Sequence, residues 1–407
     1  MITLGCFDPN VTDAACNAYT DELARITRVP FAAVTPGVDK IVLRKYQPDA
    51  PDAMSVAEIQ RALKSIGFFP GGKDDGICGY RTLSAMRLFQ EYVRSVEKLD
   101  CVPDGRFGPG TQQHLKRWLD GHLVASWVST MERFQSGALG QTEYSDWLSL
   151  LDQTKAHYTA SPNRMLQMVN AFKGASDTRK VAQWDYTPAT NVHLVGVRRS
   201  SFAGKFDDIF VLLIKGLVFK FQGSTVPGAS SDPRGTPFLV QGQHDYHFGW
   251  HQKTYLALRP QGDGVLVVRS KDDLHLDDAD LANGLETNGS INVHWGGKGM
   301  ARDVKTWSEG CQVINGSVYL NPNNELIDCS GFAATNQGEL ASDPNKTRGA
   351  FNMLADLVIA LSSDNAGNSV KYMLLAEQDL ELAPPLKQSL ADAAARVVDM
   401  IEQPGSK

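Results

Sequence analysis

From residue 54 to residue 120 the apolar residues recur at the spacing of amphipathic helices. In MSVAEIQRALKSIGFF they fall at Val56, Ile59, Leu63 and Ile66, which lines one helix face and calls for a core to cover it. Gly67 follows at a helix-ending position. A tight turn, Asp75-Gly76-Ile77-Cys78-Gly79, comes next, and Leu83, Met86, Phe89 and Val93 predict a second helix with Thr82 at its N-cap. The unit then recurs. Asp104-Gly105-Arg106-Phe107-Gly108 precedes a third stripe at Leu115, Trp118 and Leu119, and the two aspartates stand 29 positions apart (104 − 75), so an internal repeat of turn plus helix is expected.

The rest of the chain changes period twice. Residues 1–52 carry only a weak helical pattern, from Thr12 to Ile26, and Pro30, Pro36, Pro48 and Pro51 interrupt the remainder; they are taken as an N-terminal segment and linker. Residues 121–187 return to helical spacing (Trp127, Met131, Phe134; Tyr144, Trp147, Leu151; Met165, Met168, Phe172) and predict a helical connector packed on the next domain. From Pro188 the period is two. Val192 to Val197 alternates, Asp208 to Phe221 (DIFVLLIKGLVFKF) reads as a hairpin about Lys215-Gly216, and Val265 to Arg269 is a further strand. Ala350 to Leu361 is a helix and Tyr372 to Ala376 a strand that closes a domain spanning 188–380, leaving 381–407 as a C-terminal helix and tail.

Composition narrows the functions open to such a chain. With 407 residues, 42% hydrophobic and 21% charged, two or three globular domains are expected. A net charge of −6 offers no footprint for nucleic acid or an anionic membrane surface. The longest apolar run, Ile209 to Ile214, is too short to span a bilayer, and the N-terminus lacks the basic start and apolar stretch of a signal peptide. Six cysteines without a C-x-x-C pair exclude zinc-ribbon and thioredoxin-like readings; Cys78 and Cys101 are the pair considered for a disulfide.

One stretch carries chemistry. Residues 291–315, INVHWGGKGMARDVKTWSEGCQVIN, run as a strand ending in His294, a loop with Gly296, Gly297 and Gly299, the turn Ser308-Glu309-Gly310-Cys311, and a strand through Val313 and Ile314. A thiol attacks carbonyls only as thiolate, so it needs a base or a positive field. His294, 17 positions before Cys311 (311 − 294), is the candidate base. Gly310 lets the backbone bend so that the N–H groups of Gly310 and Cys311 converge on an oxyanion.

A histidine, glycines after it, and a Ser-x-Gly-Cys about seventeen residues on resemble the signature of the L,D-transpeptidase (YkuD-type) catalytic domain, whose members cut and rejoin peptidoglycan stem peptides through a cysteine acyl-enzyme. The resemblance implies His294 as base, oriented by a backbone carbonyl, Ser308 as the hydroxyl residue of the motif, Gly310 as the turn and Cys311 as nucleophile. Gly235-Thr236-Pro237-Phe238 is similar to the segment that enters that fold. Gln312 and Val313 depart from the family, which has an apolar residue and then an arginine after the cysteine. Residues 53–120, with Thr82, Ala85, Phe89 and Gln90 after the D-G-x-x-G turn, are similar to the three-helix peptidoglycan-binding domain. The implied architecture is α+β: an N-terminal helical peptidoglycan-binding-like module plus a β-rich L,D-transpeptidase-like catalytic domain. The implied function is a cysteine-dependent peptidoglycan peptidase or transpeptidase that needs no cofactor. The departure at Gln312-Val313 and the missing signal lean toward hydrolysis, by a lysin or secreted effector that acts in the cell wall or periplasm and reaches it by a non-standard route or by lysis. An effector of that kind implies an inhibitor or immunity protein as a second partner.

Other residues compete for, or complete, the site. His244, Tyr246, His247 and His251 crowd into Gln243 to His251, and with Trp307 and Gln312 they are expected to line the substrate cleft. The alternative is a zinc peptidase using His244, His247 and His251, with Asp245, Asp272 or Asp273 supplying a further ligand. A wall-binding protein without catalysis is the third reading. Asp272, Asp273, Asp277 and Asp278 lack calcium-loop spacing and are read as a solvated turn.

Overall fold

The computed structural model describes residues 1–28, 41–48, 52–187, 192–199, 206–228, 230, 232–271, 276–299, 308–362 and 369–402. It is a mixed α+β structure in which helices lie against a closed ring of strands.

The chain opens with β1 (Cys6–Phe7), α1 (Asp13–Thr27) and β2 (Arg44–Lys45), which pairs in parallel with β1. α2 (Val56–Ser65) begins with a capping box in which Ser55 and Glu58 satisfy each other's free N–H groups. α3 (Tyr80–Ser95) and α4 (Pro109–Asp120) follow the two D-G turns. The repeat seen in the sequence is a repeat of hydrogen bonds. The Gln60 amide donates to Asp75 Oδ1, the Ile77 carbonyl and Thr82 Oγ1 while accepting from Gly76 N. Thirty residues on, the Gln90 amide donates to Asp104 Oδ1, the Arg106 carbonyl and Thr111 Oγ1 and accepts from Gly105 N. Thr82 is therefore not the N-cap: Gly79 holds that position, and the Thr82 hydroxyl is used inside the turn.

The first residues, unassigned from sequence, thread between the two copies. Ile2 exchanges backbone hydrogen bonds with Phe107, and the Asp8 carboxylate accepts from Val56 N and Ala57 N at 2.7 and 2.9 Å, where the α2 N-terminus favours negative charge. All six cysteines are free, so Cys78 and Cys101 form no disulfide.

The connector consists of α5 (Val128–Gln135), α6 (Glu143–Ala160) and α7 (Arg164–Ala171). The strands after it are β3 (Val192–Arg198), β4 (Asp208–Ile214), β5 (Leu217–Ser224), β6 (Thr236–Leu239), β7 (Gly242–His251), β8 (Tyr255–Pro260), β9 (Val265–Ser270), β10 (Glu286–Asn288), β11 (Val293–Trp295), β12 (Gln312–Leu320) and β13 (Leu326–Asp328); then come α8 (Gln337–Ser342), α9 (Ala350–Leu361), β14 (Val370–Ala376) and α10 (Pro384–Glu402). The order β11-β8-β7-β14-β3-β4-β5-β12 closes because β11 also pairs with β12. β13 extends β12, and β6, β9 and β10 form a separate small sheet.

Lys215 (φ 49) and Gly216 (φ 82) make the two-residue turn between β4 and β5, the positive-φ pair that matches strand twist. Both faces of this hairpin are buried, which explains its unbroken apolar run: Phe210 and Leu212 join one core, Val211 and Leu213 another. The first core runs without a break from α2 and α3 through α9 into the strands. The repeat module is thus packed onto the ring rather than hung from it. At that junction Arg87 forks onto Asp356 of α9 at 2.6 and 2.8 Å. No helix among the described residues is long and apolar enough to cross a membrane.

Candidate functional site

Strand alternation decides which residues can meet. β11 and β12 run parallel with Val293 opposite Gln312 and His294 opposite Val313. Opposed residues share a sheet face, and so do residues two apart, so His294 lies on the face that carries Val313 and Cys311. The pairing continues one step back: Gln312 N donates to the Asn292 carbonyl at 2.8 Å, and Asn292 N donates to Cys311 Sγ at 3.4 Å. The thiol, partly exposed, donates to the Ser290 carbonyl at 3.2 Å.

The turn before the cysteine is held by Ser308, whose hydroxyl donates to the Cys311 carbonyl at 2.6 Å and accepts from Gly310 N at 3.2 Å. Gly310 has φ 155, and a Cβ there would lie 2.7 Å from both Ile291 Cδ1 and Pro237 Cγ, so no larger residue fits. The N–H of Gly310 is spent on Ser308, contrary to its expected oxyanion role. The N–H of Cys311 has no partner among the described residues.

His294 is fixed by its neighbours. Its Nδ1 lies 2.8 Å from the Trp295 carbonyl; a carbonyl only accepts, so Nδ1 carries the proton and Nε2 is left as the basic nitrogen. Tyr255 Oη is 3.5 Å from the same Nδ1. The His251 ring stacks on that of His294, and Asn292 Nδ2 donates to His251 Nδ1 at 3.0 Å. Burial pushes the His294 imidazole down to about 4, with the Trp295 carbonyl opposing, and the His251 imidazole down to about 3, with His294 and Arg259 adding to the effect. The Cys311 thiol is pushed up to about 11 by burial, and the Asn292 N–H and Arg259 counter only part of this. At neutral pH both groups are uncharged. No hydrogen bond joins Sγ to His294; the pair shares a face, two residues out of register.

The remaining expected site residues divide by face. His247 and His251 point to the Cys311 side of β7. His244 and Tyr246 point to the other side, where they are fully buried. The His244 nitrogens are taken by Thr178 Oγ1 and the Val240 carbonyl, and the Tyr246 hydroxyl by the Ile291 carbonyl. Gln312 is also fully buried and accepts from the Tyr372 hydroxyl at 3.0 Å. These three are core residues, not cleft lining, because the two-residue period of a strand turns them inward. Trp307, Asp272 and Asp273 lie outside the described residues.

The same alternation separates His244 from His247 and His251, and Asp245 is bridged by Arg179 and Lys371. Among the described residues no group of three His, Cys, Asp or Glu side chains is placed to hold a metal. Asn292, Tyr255 and Arg259 were missed by sequence reasoning. Only Asn292 left a trace, two positions before His294, and the register of three strands was needed to show it beside Cys311.

Fold and site together define a mixed α+β protein with a closed ring of strands and a cysteine–histidine face at the seam where the ring shuts. No family model, curated protein or solved structure matches the chain.

Proposed function

We propose that this protein is a cysteine-dependent, peptidoglycan-modifying enzyme with an L,D-transpeptidase-like catalytic unit and a wall-binding helical repeat. The observation that carries the reading is the parallel pairing of β11 with β12, which sets Cys311 and His294 on one sheet face with Nδ1 of His294 held by a backbone carbonyl. In the reaction, Nε2 of His294 takes the thiol proton as the sulfur attacks a stem-peptide carbonyl, and the Cys311 N–H donates to the developing oxyanion. The carbon–nitrogen bond breaks, and the amine leaves with the proton from His294. Water then resolves the thioester and frees the acid; an amine in its place would form a cross-link. The module at 53–120 holds the enzyme on peptidoglycan, in the wall or periplasm.

The test is to incubate the full chain with purified sacculi and resolve the released muropeptides by mass. Wild type should shorten stem peptides, with or without chelator, and Cys311→Ala should still sediment with sacculi but convert nothing. Conversion that survives Cys311→Ala and stops with chelator would replace this reading with a metallopeptidase. Sedimentation without conversion by wild type would leave a wall-binding protein.

A further inference from the structure

We infer that the cavity walled by Arg198 and Phe238, at one end of the ring, is a second ligand site built for a small carboxylate with an apolar body. Its volume is about 600 Å³, inside the range of small-molecule sites, about 300–1,000 Å³. It lies where β3 and β14 end and β7 begins, with Met165, Val226, Phe238, Leu276 and Leu374 as its apolar walls. Cys311, His294, His251 and Asn292 take no part in it. β6 stands between the two places. Consecutive strand residues face opposite ways, so Pro237 abuts Gly310 of the nucleophile turn while Phe238 faces the cavity.

Arg198 is what selects an anion. It ends β3 on the face that carries Leu194, half-buried, and its guanidinium is held by uncharged acceptors alone. Nε donates to Thr225 Oγ1 at 3.3 Å, Nη2 to the Thr225 and Leu239 carbonyls at 2.9 and 3.2 Å, and Nη1 to the Leu239 carbonyl at 3.2 Å. Among the described residues this leaves one N–H of Nη1 without an acceptor and Arg198 without an ion pair. Asp208, whose charge reaches it, instead accepts from Arg199 N, Thr225 N and Thr225 Oγ1. A cation withdrawn from water and met only by dipoles is costly, and an anion entering the cavity offsets that cost. Other polar groups of the wall are matched already: Arg199 with Glu377 at 3.5 Å, Lys387 with Glu381, and Asn163 Nδ2 with Gln241 Oε1. A single remaining N–H suits one carboxylate oxygen better than a phosphate, whose three terminal oxygens call for several donors. The apolar walls cover the rest of the ligand.

Binding tests this without reference to turnover. The full chain is titrated by calorimetry with N-acetyl-leucine, with its carboxamide, and with inorganic phosphate. The acid should bind about 10-fold or more tightly than the carboxamide, and more tightly than phosphate. Arg198→Met should erase the preference for acid, and Arg198→Lys should keep part of it because the charge remains. Since Arg198→Met also strands two carbonyls and can weaken the fold, Met165→Trp serves as the second variant: it fills the cavity from α7 and should abolish binding of acid and carboxamide alike with an unchanged urea midpoint. Cys311→Ala should bind the acid as wild type does. Equal binding of acid and carboxamide, tighter binding of phosphate, no binding of any probe, or undiminished binding by Met165→Trp would overturn the assignment. So would loss of acid binding in Cys311→Ala, which would place the ligand on the thiol face.

Discussion

The rings of His251 and His294 lie 4.2 Å apart with 25° between their planes, so the imidazole proposed as base rests on a second imidazole that is itself hydrogen-bonded to Asn292. Two stacked imidazolium rings would repel, so the arrangement favours neutral rings. His251→Phe keeps a flat ring in place and should leave turnover of stem peptides within about threefold of wild type. His251→Ala removes the support and should cost about 2 kcal/mol or more of stability along with most of the activity. Equal activity in the two variants, measured at matched folded fractions, would show that the stack does not position His294.

Cys311 and His294 are both neutral at pH 7, since the thiol is pushed up to about 11 and the imidazole down to about 4. Alkylation of Cys311 by iodoacetamide, tracked by peptide mass mapping, should therefore be slow at pH 7 and rise about tenfold per pH unit through pH 10. A plateau near pH 7 would instead reveal a preformed thiolate–imidazolium pair.

Gln60 and Gln90 each satisfy a turn and a helix start through the same four contacts. Gln60→Leu and Gln90→Leu should each strand a glycine N–H and lose the bridge, at about 2–4 kcal/mol apiece. Urea unfolding measures this. A cost below about 1 kcal/mol at either position would mean that the turn closes without its amide.

Five buried histidines set an acid limit. Burial depresses His193, His247 and His294 to about 4 and His244 and His251 to about 3, against an ordinary value near 6.5. In the window between about 6.5 and 4 the unfolded chain binds these protons and the folded one does not, so stability falls as the pH falls through it. Buried Asp177, Asp208 and Asp379 have raised values and act in the opposite sense, gaining folded-state protons first as the pH drops. With five histidines against three carboxyls, the histidines dominate, and urea midpoints should be flat from pH 8 to 7 and drop from pH 6 to 4.5. A midpoint unchanged at pH 5 would contradict the burial of these rings.

Local pattern was enough for much of this molecule. The apolar spacing at Val56, Ile59 and Leu63, the two D-G turns, the hairpin about Lys215-Gly216 and the helix at Ala350–Leu361 all depend on contacts within a few residues, and each was legible along the chain. That Cys311 and His294 would fall near each other was legible as well, because a glycine-flanked turn and two paired strands hold them on one face within 21 residues, Val293 to Val313. What no linear pattern could settle was face and partner. His244, Tyr246 and Gln312 looked like cleft residues until strand register, with β14 and β8 for the first two and with β11 for Gln312, turned them into the core. Asn292 looked like nothing until the pairing of β11 with β12 set it beside the sulfur. The first eight residues gained a role only when folding placed Asp8 at the start of α2 and Ile2 on Phe107. By itself, then, the sequence determined the elements, the repeat and the closeness of the candidate cysteine and histidine, since neighbours along the chain create them. Tertiary structure decided which side of each strand faces the thiol, because a two-residue period gives each residue its face only once its strand has found its partners.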